Sequence, residues 1–122
     1  MHPTEPYADP LSEWLESCAR LRDTIPGRTL VCPAHNEPFY GLAVRMQDLI
    51  DDHEDGLQKL MAMLDEPRRS VDVFPALFKR EITDDLVHMA TGESLAHLNC
   101  LMARGQAKRY VAEDGVARYI RA

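Results

Sequence analysis

One short apolar run, Thr29–Cys32, constrains what this chain can fold into more than any other feature. It stops at Pro33 and is apolar on both faces, which is typical of a strand buried inside a parallel or mixed sheet. Such a strand cannot satisfy its own backbone hydrogen bonds, and the sequence holds no other strand of that type. Only a hairpin near the C-terminus could pair with it. We therefore expect its neighbours to come from polypeptide outside these 122 residues or from another chain.

His35 follows this predicted strand, in a segment of small and polar residues that ends at Pro38. A metal-binding imidazole is often held this way, because the strand fixes its position and the loop exposes the ring. An ordinary loop histidine is the alternative, and the residue alone does not separate the two. A single neutral imidazole binds zinc weakly, so we expect this chain by itself to carry no metal or only adventitious metal.

The composition is ordinary for a globular protein, with 45% apolar and 28% charged residues in a chain of 122. That length allows one compact domain or two small units that share a core. The net charge of −6 argues against a dedicated nucleic-acid binder, although a local basic patch stays possible. Three cysteines without a CxxC pair favour a reduced, cytoplasmic protein. We expect neither a signal peptide nor a membrane span, since no apolar run is long enough.

Helical spacing of the apolar residues predicts four helices. Asp9 can cap the first one and Pro10 fits its first position. Ser70 and Thr83 can cap the third and fourth, and Gly92 could break or bend the fourth. The predicted helices span residues 9–25, 42–65, 70–78 and 84–104.

Residues 107–121 predict a β-hairpin that turns at Asp114 and Gly115. If these two residues alone form the turn, Tyr110 lies opposite Tyr119. Three helices followed by a two-stranded ribbon is the order of elements in a winged-helix domain. The fold class that we predict is therefore mainly α with small β (α+β).

Four aspartates on one face of the long helix could hold a hard cation, but a solvated acidic face is far commoner. They are Asp48, Asp51, Asp52 and Asp55. His53 lies on the apolar stripe of the same helix, so we interpret it as a core or interdomain histidine. His88 and His97, on the fourth helix, are interpreted as surface or packing residues.

The predicted hairpin is basic, and a wing of this kind can contact nucleic-acid phosphates. Its basic residues are Lys108, Arg109, Arg118 and Arg121. In the helix before the hairpin, only Asn99 and Arg104 could contact base edges. Two such residues are weak evidence for recognition of a DNA sequence. A packing role, or a lid that shapes a substrate site, is therefore favoured for the predicted winged unit.

These elements together resemble the C-terminal third of bacterial metallo-β-lactamase-fold hydrolases that carry a C-terminal winged-helix domain. The resemblance covers about residues 7–121. The segments that carry it are Pro33-Ala34-His35, Pro38-Phe39, Asp52-His53-Glu54, residues 92–98 and residues 101–105. The family motif at the first of these is usually proline–glycine–histidine–glycine, so Ala34 and Asn36 depart from it.

The resemblance implies that residues 1–41 are the remnant of a metallo-β-lactamase αββα sandwich and that residues 42–122 form a winged-helix-like domain. Family members bind one or two zinc ions through an HxHxDH signature, a further histidine, a bridging aspartate and a last histidine. A metal-bound hydroxide is the nucleophile in these enzymes. Only His35 matches a ligand position, and no position of this chain matches a catalytic residue.

The function implied is that of the C-terminal part of a zinc-dependent hydrolase acting on a thioester, lactone or phosphodiester, with the isolated chain inactive. Its partner would be the rest of the metallo-β-lactamase domain. The unpaired strand also predicts self-association of the isolated chain. The alternative is a stand-alone winged-helix module that binds nucleic acid or protein.

Overall fold

The computed structural model describes residues 5–122, which form a mainly helical structure with one small antiparallel sheet. The elements are α1 (Pro10–Thr24), α2 (Leu42–Met63), α3 (Phe74–Leu77), α4 (Val87–Ala103), β1 (Ala107–Val111) and β2 (Ala117–Arg121). The predicted α+β class is confirmed. The chain divides into two compact units. We call residues 12–54 the His35 unit, and residues 5–11 together with 55–122 the hairpin unit.

The first two helices begin where the sequence predicts. Helix α1 starts at Pro10, whose fixed φ and missing N–H suit a first helical position. Helix α2 runs from Leu42 to Met63, two residues short of the predicted end at Asp65. Neither these nor any other helix in the described part of the chain is long and apolar enough to cross a membrane.

Side chains of α1 and α2 meet inside the His35 unit. The Trp14 ring lies 4.6 Å from the His53 ring, and the imidazole Nδ1 is 2.8 Å from the Leu49 carbonyl oxygen. Arg22 donates a hydrogen bond of 2.6 Å to the amide oxygen of Gln47. The Trp14–His53 and Arg22–Gln47 contacts join the two helices, and the first agrees with the interpretation of His53 as a packing residue.

The predicted strand Thr29–Cys32 does not form within residues 5–122. Only Val31 is paired, in an isolated antiparallel bridge to Phe39 with N–H···O distances of 2.8 and 3.0 Å. Leu30 beside it is 50% exposed. A strand that is apolar on both faces needs a neighbour on each side, and the described chain provides one paired residue, so the strand with outside neighbours stays a prediction. The bridge closes a loop, residues 32–38, with His35 at its centre.

Asn36 gives this loop its turn. Among residues 5–122 it is the only non-glycine residue with a positive φ, at 71°. Asparagine tolerates this left-handed region better than most residues, and glycine tolerates it best. The departure from the family's glycine at this position is therefore compatible with the backbone conformation.

Helix α4 lies at the centre of the hairpin unit. Its residues Ala96–Leu101 are six consecutive buried positions, so every face of the helix is covered at this level. Other buried residues of the unit include Leu57, Leu60, Leu64, Val73, Ala107 and Tyr119. Gly92 neither breaks the helix nor ends it, which leaves one continuous central element.

The predicted caps of the short helices are wrong. Helix α3 is a single turn that begins after Val73, and α4 begins after Leu86; neither residue makes a side-chain capping bond. Ser70 and Thr83 lie too early in the sequence, because the residues that follow each of them form turns before the helix starts. Capping patterns alone did not reveal these intervening turns.

The hairpin register differs from the predicted one by a single position. Tyr110 lies opposite Arg118 rather than opposite Tyr119. The turn contains three residues, 113–115, because Gly115 adopts a φ of 79° and closes a longer loop than the expected two-residue turn.

A third segment joins the edge of the hairpin. Arg68, between α2 and α3, exchanges backbone hydrogen bonds of 2.9 and 2.8 Å with Tyr119 of β2. The N–H of Arg121 also donates to the Leu64 carbonyl at 2.8 Å. The hairpin is thereby attached to the chain that leaves α2.

The segment before α1 is fastened to the same unit. Asn99, only 5% exposed, donates both amide hydrogens, to the carbonyl oxygens of Pro6 and Ala8, each at 2.9 Å. Tyr7 lies between Pro6 and Ala8 in the sequence. The Arg109 guanidinium lies over its ring, with the guanidinium carbon 5.4 Å from the ring centroid. Residues from the start of the chain are therefore part of the hairpin unit.

Replacing Asn36 should test the left-handed turn. We expect Asn36→Val to unfold the His35 unit more easily than Asn36→Gly, by about 1–2 kcal/mol, because a β-branched side chain is strained at positive φ. Urea denaturation followed by the fluorescence of Trp14, the single tryptophan, measures this. Glu37→Val, at the exposed next position, should have a smaller effect. Equal stability of the valine and glycine variants would contradict the assignment.

Asn99 offers a second test. Asn99→Ala should lower the free energy of unfolding by about 1–3 kcal/mol, because two carbonyl oxygens lose their donor. Asn99→Asp should cost more at neutral pH, since it places a carboxylate against those oxygens. The matched control is Gln58→Ala, an exposed amide on α2. If both Asn99 variants unfold like the control, the two hydrogen bonds do not stabilise the unit.

The hairpin turn should be sensitive to acid. The Val116 N–H and the Arg118 guanidinium bind the Asp114 carboxylate at 2.9 and 2.6 Å and lower the pKa of Asp114. Because this pKa lies below the unfolded value of about 3.9, the carboxylate stabilises the turn at higher pH. That stabilisation is lost as the pH falls through the folded pKa.

The Val116 amide resonance, followed by NMR against pH, reports this titration. Its midpoint should lie below the usual aspartate range in the unmodified chain. Arg118→Gln should raise the midpoint, and Asp114→Asn should abolish the titration. A midpoint at the ordinary aspartate value in the unmodified chain would be inconsistent with the structure.

Candidate functional site

The loop that carries His35 opens on a cavity within the His35 unit. This cavity has a volume of about 840 Å³ and is lined by residues 33–37, residues 39–41 and three residues of α2. The α2 residues are Val44, Arg45 and Asp48. The cavity is open to solvent, so a ligand or further polypeptide can reach the histidine.

His35 itself is exposed at the centre of the loop. The bridge between Val31 and Phe39 holds the two ends of the loop together, and the left-handed Asn36 turns the chain directly after the histidine. The arrangement matches the sequence-based expectation that the backbone fixes the position while the ring stays accessible. The loop is held by the single Val31–Phe39 bridge and not by a continuous strand.

The residues present fit one metal ligand and do not complete a metal site. Among residues 5–122, no group of three or more His, Cys, Asp or Glu side chains could hold a metal ion. Metal-binding histidines also usually donate their second ring nitrogen to an orienting partner. Within the described part of the chain no such partner of His35 is found. A complete site would need ligands and an orienting group from other polypeptide.

No other histidine of residues 5–122 lines this cavity. His53 packs on Trp14, and neither lines the cavity. In the hairpin unit His97 is 6% exposed, with its Nδ1 2.8 Å from the Glu93 carbonyl oxygen. His88 is exposed on α4. These positions agree with the interpretation of His88 and His97 as surface and packing residues.

The acidic face of α2 is a solvated surface, as expected. Asp48, Asp51, Asp52 and Asp55 are all exposed. Asp51 accepts a hydrogen bond of 2.8 Å from Gln47, and Asp55 lies 2.6 Å from the Lys59 ammonium. Only Asp48 of the four lines the cavity.

Most basic side chains of the hairpin are engaged within the chain. Arg118 binds Asp114 at 2.6 Å, and Arg121 donates to the Met61 carbonyl at 2.9 Å. Arg109 lies over Tyr7. These contacts, with the two hydrogen bonds of Asn99, give most of the predicted nucleic-acid-contacting side chains a partner within the chain, while Lys108, Arg109 and Arg121 are exposed.

Three residues of the cavity were missed as site candidates from the sequence. Tyr40 and Val44 are 66% and 67% exposed, although both are large and apolar. Arg45 lies in the first turn of α2. An arginine in the first turn was the available signal, because a cation there opposes the helix dipole.

A family model supports the predicted resemblance. The model described as "Metallo-beta-lactamase-like, C-terminal domain" matches residues 57–122, which is more than half of the chain. A search of curated proteins finds no match.

Two solved structures are similar over nearly the whole chain. A beta-lactamase domain protein from Burkholderia ambifaria is 36% identical, with a TM-score of 0.94 over 100% of this chain. A metallo-beta-lactamase family protein from Thermus thermophilus is 30% identical, with a TM-score of 0.77 over 93%. The chain spans about a third of their lengths, 36% and 34% respectively. By the match of its C-terminal half, this chain belongs to the family of metallo-beta-lactamase-like C-terminal domains.

Proposed function

We propose that the chain serves as the C-terminal part of a zinc-dependent metallo-β-lactamase-superfamily hydrolase and supplies its last metal ligand, His35. The observation that carries this proposal is the exposed imidazole at the centre of a closed loop, facing an open cavity. The similarity to a third of two longer metallo-β-lactamase-type proteins supports it. The proposed reaction is hydrolysis of a thioester, lactone or phosphodiester.

The residues of this chain hold one ligand in place. The Val31–Phe39 bridge fixes the loop ends, and the turn at Asn36 directs the chain away after His35. Zinc, when bound, supplies an activated hydroxide as nucleophile. The chain by itself contributes too few ligands to retain the metal, so we propose that the isolated chain is inactive.

The partner that we propose is the β-sheet of the remaining metallo-β-lactamase domain. Val31 is bridged on one side only, and Leu30 is half exposed. No backbone hydrogen bond of Leu30 or Cys32 is found within residues 5–122. An unpaired apolar edge of this kind accepts a neighbouring strand, and in its absence it favours self-association.

We further propose that residues 42–122 form a winged-helix-like domain with a packing or substrate-shaping role. The order of α2, the Arg68 bridge, α3, α4 and the hairpin supports this assignment. Burial of Ala96–Leu101 on all sides of α4 argues against insertion of that helix into a DNA groove. Membership in the hydrolase is therefore preferred over a stand-alone nucleic-acid-binding module.

A reducing, cytoplasmic compartment is proposed from the cysteines. None of the three forms a disulfide: Cys18 and Cys100 are buried, and Cys32 is exposed. Burial raises the pKa of the Cys18 thiol, which keeps it protonated and unreactive. Three cysteines without a disulfide are the pattern that a reducing compartment preserves.

Replacing His35 in the complete reading frame tests the proposed function. His35→Ala should weaken zinc retention about tenfold or more and reduce hydrolysis in parallel, since one ligand is lost. Zinc content after dialysis against a graded chelator series measures the first effect. His88→Ala, an exposed histidine on α4, is the matched control and should retain zinc.

Unchanged zinc retention in the His35 variant would contradict the proposal. So would a reading frame that contains no HxHxDH motif upstream of this chain.

A further inference from the structure

We infer that Arg45 binds the carboxylate of a small substrate that also carries an apolar group. This inference rests on the proposed function, because it names the class of molecule that would reach His35. It comes from the cavity within the His35 unit, which Arg45, Tyr40 and Val44 line together with the histidine.

The Arg45 guanidinium is available for a ligand. No ion pair of Arg45 is found within the described part of the chain, although Asp48 follows three residues later and lines the same cavity. Its position in the first turn of α2 is unfavourable for a cation, so helix stability does not account for it. A guanidinium presents paired N–H donors that match a carboxylate in a bidentate geometry.

The remaining charges of the cavity decide which anion fits. Glu37 and Asp48 also line it, so the lining has one guanidinium and two carboxylates beside the imidazole. This balance repels a polyanion such as a nucleic-acid strand, which needs an extended positive surface. A ligand with a single carboxylate brings only one negative charge to this lining, which the Arg45 guanidinium can pair with.

The exposed apolar residues define the second part of the ligand. Tyr40 and Val44 are 66% and 67% exposed, and both line the cavity beside Arg45. An aryl or alkyl group packed on them removes apolar surface from water. Of the proposed substrates, a small thioester or lactone that bears a carboxylate therefore fits better than a nucleic-acid phosphodiester.

Phenylacetate is a suitable probe because it combines one carboxylate with an aryl group. Titration of the 122-residue chain should shift the Arg45 Nε–Hε resonance saturably in NMR spectra. Arg45→Gln should abolish phenylacetate-induced shifts of the Tyr40 and Val44 signals, and Arg45→Lys should weaken binding about tenfold because the bidentate geometry is lost. Val44→Ser should weaken binding while retaining the Arg45 shift.

The control is Arg28→Gln, an exposed arginine that does not line the cavity, which should bind phenylacetate like the unmodified chain. Trp14 fluorescence confirms that each variant is folded. Absence of a saturable Arg45 shift, or an equal loss in Arg28→Gln, would overturn the inference. Tighter binding of a single-stranded oligonucleotide or inorganic phosphate than of phenylacetate would overturn the substrate class.

These outcomes separate this inference from the proposed function. Phenylacetate binding at Arg45, together with a His35→Ala protein that keeps its zinc, would support the carboxylate site and reject the metal role of His35. If the His35→Ala protein loses its zinc and the unmodified chain does not bind phenylacetate, the metal role of His35 is supported and the carboxylate site is rejected.

Discussion

The two backbone hydrogen bonds between Val31 and Phe39 are the interaction on which the candidate site depends. At 2.8 and 3.0 Å they close the loop 32–38 and bring its ends to one side of the cavity. Without them the segment would have no other backbone pairing within residues 5–122, and the position of His35 relative to Arg45 would no longer be defined. Within residues 5–122, the position of the His35 loop is therefore fixed by a bridge of one residue pair, whereas the sequence predicts a continuous strand there.

The parts of the fold that sequence predicted well are those determined by local chemistry. Proline at a first helical position and regular apolar spacing located α1 and α2, since both signals act within a few turns. The strand at Thr29–Cys32 stays a prediction, because strand formation depends on distant neighbours and residues 5–122 supply a partner only for Val31. The hairpin shifted by one residue because the conformation of Gly115 extends the turn, which residue types near it do not determine alone.

The candidate site shows the same division. The His35 loop was identified from its sequence because a proline and a histidine follow an apolar run. Tyr40, Val44 and Arg45 were missed because their shared role depends on the cavity, where a loop and a helix meet. For the same reason Asn99 was considered as a base-reading residue, whereas the structure uses both of its amide hydrogens on Pro6 and Ala8.

The hydrogen bonds of Asn99 extend the hairpin unit upstream of the residues that the family match covers. The family match begins at residue 57, yet the amide donors of Asn99 find their acceptors about ninety residues upstream. An excised 57–122 polypeptide would retain the buried amide and lose both carbonyls that satisfy it. The boundary drawn by sequence similarity and the boundary drawn by hydrogen bonding therefore differ, and a recombinant version of this domain should include its upstream segment.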